Sequence, residues 1–430
     1  FALAYHLFFP GIATHDAIVV YDQAYAGKFG DWQPPLLGCL WIRLEPYLGY
    51  GPQALFVPTI AIVWASLFVL FLALRRLTLW PAWLMLLVGY VPSTFALTGI
   101  IWRDVIFTAC WMLAIALTLL SSEQGRVLRI LAMILALILF FFGFFIRPNA
   151  LFAAVPILIY LIWARSFSWK RLVFLFVPLV LALQLASGLV NYGWLNANRE
   201  QAVHSIFVFD LTGISHFADK NVFPIDDWTP EEVEKVKTIC YEPTYWDAIW
   251  WPRCSFAMAR INRDEPPGTK LFGSPVLQKA WMSAILANPV AYVEHRFNHF
   301  RALLLENNMI LFDQTKSGQF RFRFIGGVDF TRFQFAVDWM GANTPLFRGL
   351  TWLLLSFVCL VISATWRNGP LKAATLGMSI SAFVYTMTYL GFGVAAEYRY
   401  VYWTTFSSLV SAVLVLAKWV IDRRAPVETL

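Results

Sequence analysis

An all-α, polytopic membrane protein with about ten transmembrane helices is the architecture this chain predicts. Three observations carry that reading. Apolar runs of about 20 residues recur along the sequence, each long enough to cross roughly 30 Å of hydrocarbon. Hydrophobic residues make up 59% and charged residues only 14% of the 430 positions, with a mean hydropathy of +0.62, whereas a soluble domain carries roughly a quarter charged residues. Lys and Arg gather in alternate short loops, which the positive-inside rule makes cytoplasmic.

The runs place spans at 53–74, 79–101, 105–121, 127–146, 149–164, 171–191, 346–366, 371–395 and 400–420. The run Phe1–Phe9 is too short to cross and reads as the outer end of a further span, with the sequence starting inside it. Arg75, Arg76, Arg126, Arg129, Arg165, Lys170, Arg171, Arg367, Lys372, Lys418, Arg423 and Arg424 mark the inner side. The net charge of +7 is then an orientation signal, and no nucleic-acid partner is needed to explain it. Three regions follow: an N-terminal transmembrane core, 1–190, with a first outer loop at 10–52; an extracytoplasmic loop region, 191–345; and C-terminal transmembrane helices, 346–430.

The five cysteines say little. Cys39, Cys110 and Cys359 fall in or near spans, where a thiol behaves as a small apolar group. Cys240 and Cys254 share the long outer region; an oxidising compartment favours joining them, although spacing alone also allows two free thiols. In the same region Thr229-Pro230-Glu231-Glu232 has the composition of a capped helix start, and Asn288-Pro289 opens a second helix in the same manner. Gln319–Phe324 alternates Phe and Arg with the period of a strand or of an interfacial segment. His295 and His299 stand four apart, but with no Glu between them a packed helix face explains them better than a metal site.

Chemistry points to the outer ends of the spans. The first loop holds His15, Asp16, Asp22, Lys28 and Asp31 among aromatic residues and prolines. Carboxylates at a bilayer edge are costly, so such a cluster reads as a functional site; a solvated surface loop is the plainer alternative. Other outer turns supply Trp102-Arg103-Asp104, Arg147-Pro148-Asn149 and Glu397-Tyr398-Arg399-Tyr400. Arg is disfavoured on the outer side, so Arg103, Arg147 and Arg399 call for carboxylates or an anionic ligand such as phosphate, which suits the guanidinium fork. Trp32, Trp102, Tyr398, Tyr400 and Trp403 lie at the same boundary, where an aromatic belt is expected in any case.

The order PG…HDAIVVYDQAYAGKFGDWQPPL, then WRDVIF, RPNAL and EYRY before the last span, resembles the GT-C superfamily of integral-membrane glycosyltransferases. Its members include protein O-mannosyltransferases and lipid A aminoarabinose transferases. The resemblance covers roughly 1–165 and 346–410 and is weak across 191–345. It implies a GT-C-like core with membrane-surface helices in the first loop. It also implies transfer of a sugar from a polyprenyl-phosphate donor to a glycan, lipid or protein acceptor, at the outer face of the bacterial cytoplasmic membrane.

Asp16 matches the helix-start acid of such enzymes and Gly30–Pro35 their later Gly-Asp-Trp stretch. Asp16 is thus the expected general base, and Lys28, Arg103, Arg147 and Arg399 the expected phosphate-binding groups. Where relatives place a second acid after the first, this chain has Ala17; Asp104 is left to supply it, as an orienting acid or as a ligand to Mg²⁺ or Mn²⁺ if a divalent cation is used at all. His15, Asp22, Asp31, Glu397, Tyr398 and Tyr400 stand in reserve. An O-antigen ligase or polymerase, a flippase or transporter of lipid-linked glycans, and a scaffold that binds a partner are the competing readings.

Overall fold

The computed structural model describes residues 1–306 and 321–424. Among these residues the chain is helical with no strand, only isolated backbone bridges. Six helices are long and apolar enough to cross a membrane: Gln53–Arg75, Arg103–Ser121, Arg126–Ile146, Trp169–Trp194, Pro370–Phe392 and Tyr398–Arg424. Leu79–Val88, Pro148–Ile162 and Gly349–Ala364 are apolar but shorter. At 1.5 Å per residue, the 16 residues of Gly349–Ala364 rise only about 24 Å.

The expected span 79–101 is not one helix. Leu79–Val88 stops at Gly89, and Pro92 starts the short helix Pro92–Phe95. Proline has no N–H to continue the ladder and forces the preceding residue out of helical geometry. Thr94 Oγ1 donates to the freed Val88 carbonyl at 2.6 Å, so the break is internally satisfied.

The chain forms two compact units. The first comprises Phe1–Asn198, Met309–Thr386 and Tyr398–Leu430; the second comprises Arg199–Asn308 and Met387–Glu397. Of the Gln319–Phe324 reading, Gln319 and Phe320 lie outside the described residues; Arg321–Phe324 forms no strand.

Within the first unit, Arg103–Ser121 is the central helix, packed between Gln53–Arg75 and Arg126–Ile146. Of its apolar stretch 83% is buried, against 11% for Trp169–Trp194, which therefore presents most of its surface to its surroundings. Gly143 permits the close approach of Arg126–Ile146, since a Cβ there would lie 2.7 Å from the Trp111 ring. Buried hydroxyls supply directional contacts that apolar packing lacks: Thr386 pairs with Thr404 at 2.7 Å, Trp403 Nε1 donates to Ser381 Oγ at 3.0 Å, and Ser381 donates to the Ala153 carbonyl at 2.7 Å.

The second unit is built round His204–Phe217, which packs on Pro230–Thr238, Pro275–Ala287 and Pro289–Leu305. Thr229 and Glu232 close the expected capping box. Asn288 does not cap: its Nδ2 donates backward to Ala284 O at 3.0 Å, ending one helix as the next begins. Cys240 and Cys254 are joined by a disulfide. The segment before residue 397 is gripped by backbone bonds, Trp246 N to Val394 O and Ala396 N to Thr244 O, both 2.8 Å.

A buried polar network pins this unit. Asp210 accepts from Trp281 Nε1 at 2.7 Å, and its other oxygen faces Arg296 Nε at 2.7 Å and His295 Nε2 at 3.1 Å. Burial pushes the Asp210 carboxyl up, but the His295 hydrogen bond and the Arg296 charge outweigh it and hold it below the ordinary range. Burial also lowers His295 and takes His299 down to about 3, so both are neutral at pH 7. Each histidine takes up its proton in the unfolded chain near pH 6.5 but not in the folded unit. Stability therefore falls as pH drops below that value, by up to about 1.4 kcal/mol per pH unit for His299, with His295 adding in the same direction. Hydrogen-exchange protection of residues 204–305, corrected for intrinsic rates, should decline between pH 6.5 and 4; a flat profile overturns this account.

Candidate functional site

The first-loop helix His15–Ala26 begins after Thr14 and ends where Gly27 turns left-handed (φ 63°). Its start is docked by local pairing. Ile12 N donates to Gly99 O, and Ile101 N donates to Ile12 O, both at 2.9 Å. Trp102 Nε1 donates to Thr14 Oγ1 at 3.1 Å. These bonds bring the first turn of His15–Ala26 beside the first turn of Arg103–Ser121, although the two are nearly 90 residues apart.

Asp16 lies in that first turn, where the helix N-terminus favours negative charge. One of its oxygens meets Arg399 Nη1 at 2.8 Å and the other accepts from Gln33 Nε2 at 3.3 Å. The Arg399 guanidinium packs over Trp102 at 4.9 Å and over Tyr400 at 5.0 Å, and its Nη2 donates to the Tyr400 hydroxyl at 3.0 Å. Arg103 Nη1 donates to the Trp32 carbonyl at 3.2 Å. Burial pushes the Asp16 carboxyl up, and the charges of Arg399 and Arg103 outweigh it, so the group is held below the ordinary carboxylate value. Asp16 is therefore ionised at neutral pH. Its side chain remains 34% exposed, open to a shallow surface cleft. Asp16, Gln33, Arg103 and Arg399 give this cleft its polar side, and Val20, Leu37, Trp41 and Ile101 its apolar side.

Beneath it lies a second charged pair. Arg147 Nη2 meets Asp104 Oδ1 at 2.9 Å, with both side chains only 1% exposed, and Arg147 Nε donates to the Tyr385 hydroxyl at 3.3 Å. The Arg147 guanidinium also lies 5.2 Å from the Tyr400 ring centre, so Tyr400 stands in contact with both arginines. Of the two partners open to Arg147, a carboxylate or an anionic ligand, the carboxylate is present: Asp104, distant in sequence, supplies the counter-charge. Asp104, the expected second acid, thus faces Arg147 through Oδ1. Among the described residues no group of three His, Cys, Asp or Glu side chains gathers to hold a cation.

The other expected site residues are placed elsewhere. Lys28 is exposed beyond the far end of the helix from Asp16. His15 is exposed. Asp22 pairs with Arg321 at 2.6 Å, and Asp31 accepts from the Tyr192 hydroxyl at 2.7 Å. Glu397 belongs to the second unit. Tyr398 is buried, its hydroxyl 2.9 Å from Thr405 Oγ1, and Trp403 is spent on helix packing.

Gln33 and Tyr385 were not singled out by sequence reasoning. Gln33 belongs to the Gly-Asp-Trp stretch and was legible there. Tyr385, within an apolar helix, gave no signal. No family model, curated protein or solved structure matches the chain.

The buried pair makes a stability prediction. Arg147→Ala leaves Asp104 buried without its cation and should cost about 3–5 kcal/mol. The double variant Arg147→Met, Asp104→Leu should recover most of that loss, as buried pairs replaced by apolar groups often do. Denaturant unfolding in detergent would compare them, and a double variant as unstable as the single one would show that the ion pair is not the cause.

Proposed function

We propose that this chain is an inverting glycosyltransferase of the GT-C type with about ten spans, working at the outer face of the bacterial cytoplasmic membrane. It would move a sugar from a polyprenyl-phosphate donor to a glycan, lipid or protein acceptor. The observation that carries this reading is the meeting of Asp16 and Arg399, 383 residues apart in sequence, at 2.8 Å in a cleft that also holds Arg103 and Trp102. A single accessible carboxylate beside two cations matches the needs of this chemistry. The acceptor hydroxyl attacks the anomeric carbon and gives its proton to Asp16, the base. The bond from that carbon to the phosphate oxygen breaks, and the electron pair leaves with the polyprenyl phosphate. Arg399 and Arg103 stabilise the charge that develops there. The apolar wall of Val20, Leu37, Trp41 and Ile101 suits the first units of the lipid.

In this reading the Asp16–Arg399 bond is a resting pair. A donor phosphate competes for the guanidinium fork, and an Asp16 relieved of Arg399 becomes a stronger base. Arg147 and Asp104 act through Tyr400 as positioning residues.

Asp16→Asn should lower transfer about 10²–10⁴-fold while leaving donor binding intact, measured on purified protein with a polyprenyl-phosphate sugar and an envelope acceptor. Arg399→Lys keeps the charge but loses the fork, and should raise the donor KM more than it lowers kcat. Full transfer by the Asp16→Asn protein would sink the assignment of the base, and no transfer by the parent protein across a panel of such donors would sink the reading itself.

A further inference from the structure

Within the second unit the helices Pro275–Ala287 and Pro289–Leu305 form a hairpin about Asn288. One face of the hairpin is committed: Leu277, Ala284 and Ala291 are buried in the core of the unit. Among the described residues none covers the other face. There Met282, Leu286, Val290, Val293 and Phe297 are 48%, 74%, 70%, 61% and 63% exposed. Exposed apolar side chains gathered in this way, five large ones within 16 residues, mark an interaction surface.

The hairpin is also fixed to the end of a spanning helix. Arg296 Nη1 donates to the Gly393 carbonyl at 2.7 Å. A Cβ on Gly393 would lie 2.4 Å from His299 Nε2, so the His299 ring rests on that residue. Gly393 directly follows Phe392, the last residue of the apolar helix Pro370–Phe392. Phe392 is itself 60% exposed. The exposed turn Val293–Phe297 is therefore held next to the point where a membrane-spanning helix stops. Lys279 and Arg301 are exposed at the two ends of the apolar stretch, where their aliphatic stems can lie over apolar surface while their charges reach headgroups. Glu294, next to Val293, is also exposed.

We propose that this hairpin is a membrane-surface anchor, lying in the headgroup boundary of a phospholipid bilayer with Leu286, Val290, Val293 and Phe297 dipped toward the acyl chains. Its continuity with the end of a spanning helix selects lipid over a protein partner. It also gives the hairpin a role: holding the second unit at the bilayer surface, independently of the chemistry proposed for the cleft.

The test uses the full chain in phosphatidylcholine–phosphatidylglycerol vesicles, with single cysteines labelled by a small fluorophore at Leu286→Cys, Val290→Cys or Phe297→Cys. The native free thiols, Cys39, Cys110 and Cys359, are buried. Glu231→Cys, on a side chain 76% exposed, reports a polar surface of the same unit. Lipid carrying a shallow nitroxide should quench the hairpin labels about threefold or more above the Glu231→Cys label, with aqueous iodide showing the opposite order. Hairpin labels that follow the Glu231→Cys pattern overturn the proposal. Labels shielded from both quenchers, in a manner that depends on protein concentration, overturn it in favour of a second copy of the chain. Three label sites keep the result independent of any one variant's folding.

Discussion

The Arg147–Asp104 pair is the interaction on which the arrangement of the first unit depends. Arg147 follows the helix Arg126–Ile146 directly, and Asp104 lies in the first turn of Arg103–Ser121. Through Tyr385 and Tyr400 the same guanidinium reaches Pro370–Phe392 and the start of Tyr398–Arg424. A cation only 1% exposed is expensive unless its hydrogen-bonding groups are met, and the expense rises where no water is at hand. The ends of these helices are therefore held in register by a group that tolerates few alternatives. Tyr400 transmits the constraint. Its ring packs on Arg147 on one side and Arg399 on the other, and its hydroxyl receives Arg399 Nη2.

Much of this was legible in the sequence, and for physical reasons. A helix that crosses hydrocarbon must be long and apolar, so Gln53–Arg75, Arg126–Ile146 and Tyr398–Arg424 announce themselves. Charges at the ends of such helices stand out against an apolar background, which is how Asp16, Arg103 and Arg399 were found. Which charge pairs with which was not legible. Arg147 has no acid within its own turn, and its partner comes from another helix. By composition the first-loop acids are equivalent, and the resemblance alone sets Asp16 apart from Asp22 and Asp31. The pairing of Ile12 with residues 99–101 selects Asp16 for the cleft and leaves Asp22 and Asp31 to Arg321 and Tyr192. The break at Gly89–Pro92 was visible as a proline and was overridden by hydropathy, which measures burial and not helix continuity.

The second unit follows different rules. It has too few apolar side chains to look like a span, so its helices are placed by caps and by a polar core. The Asp210, His295 and Arg296 network could not be read from the His-x-x-x-His spacing, which by itself suggests metal or nothing. What decides the matter is burial: both imidazoles are pushed toward the neutral form, and Asp210 alone balances Arg296. The network thereby holds Gly393, through Arg296, against the helix Pro289–Leu305. A polar cluster that sequence reasoning set aside is thus what ties the return of the chain, residues 393–396, into this unit.

The cleft carries an asymmetry that bears on how the proposed reaction would begin. Its carboxylate is already neutralised by Arg399, while Arg103 contributes a second positive charge beside it. Taken together with the balanced pair beneath, the group Asp16, Asp104, Arg103, Arg147 and Arg399 holds one more cation than anion. In the proposed transferase that excess would favour an incoming phosphate, while Trp32, Tyr400 and Trp102 engage the arginines in its absence. A site built this way discriminates by charge before it acts as a base. Asp16 gains basicity only when another anion takes the guanidinium it now holds, so in the proposed transferase the acceptor would meet an effective base only after the donor has arrived.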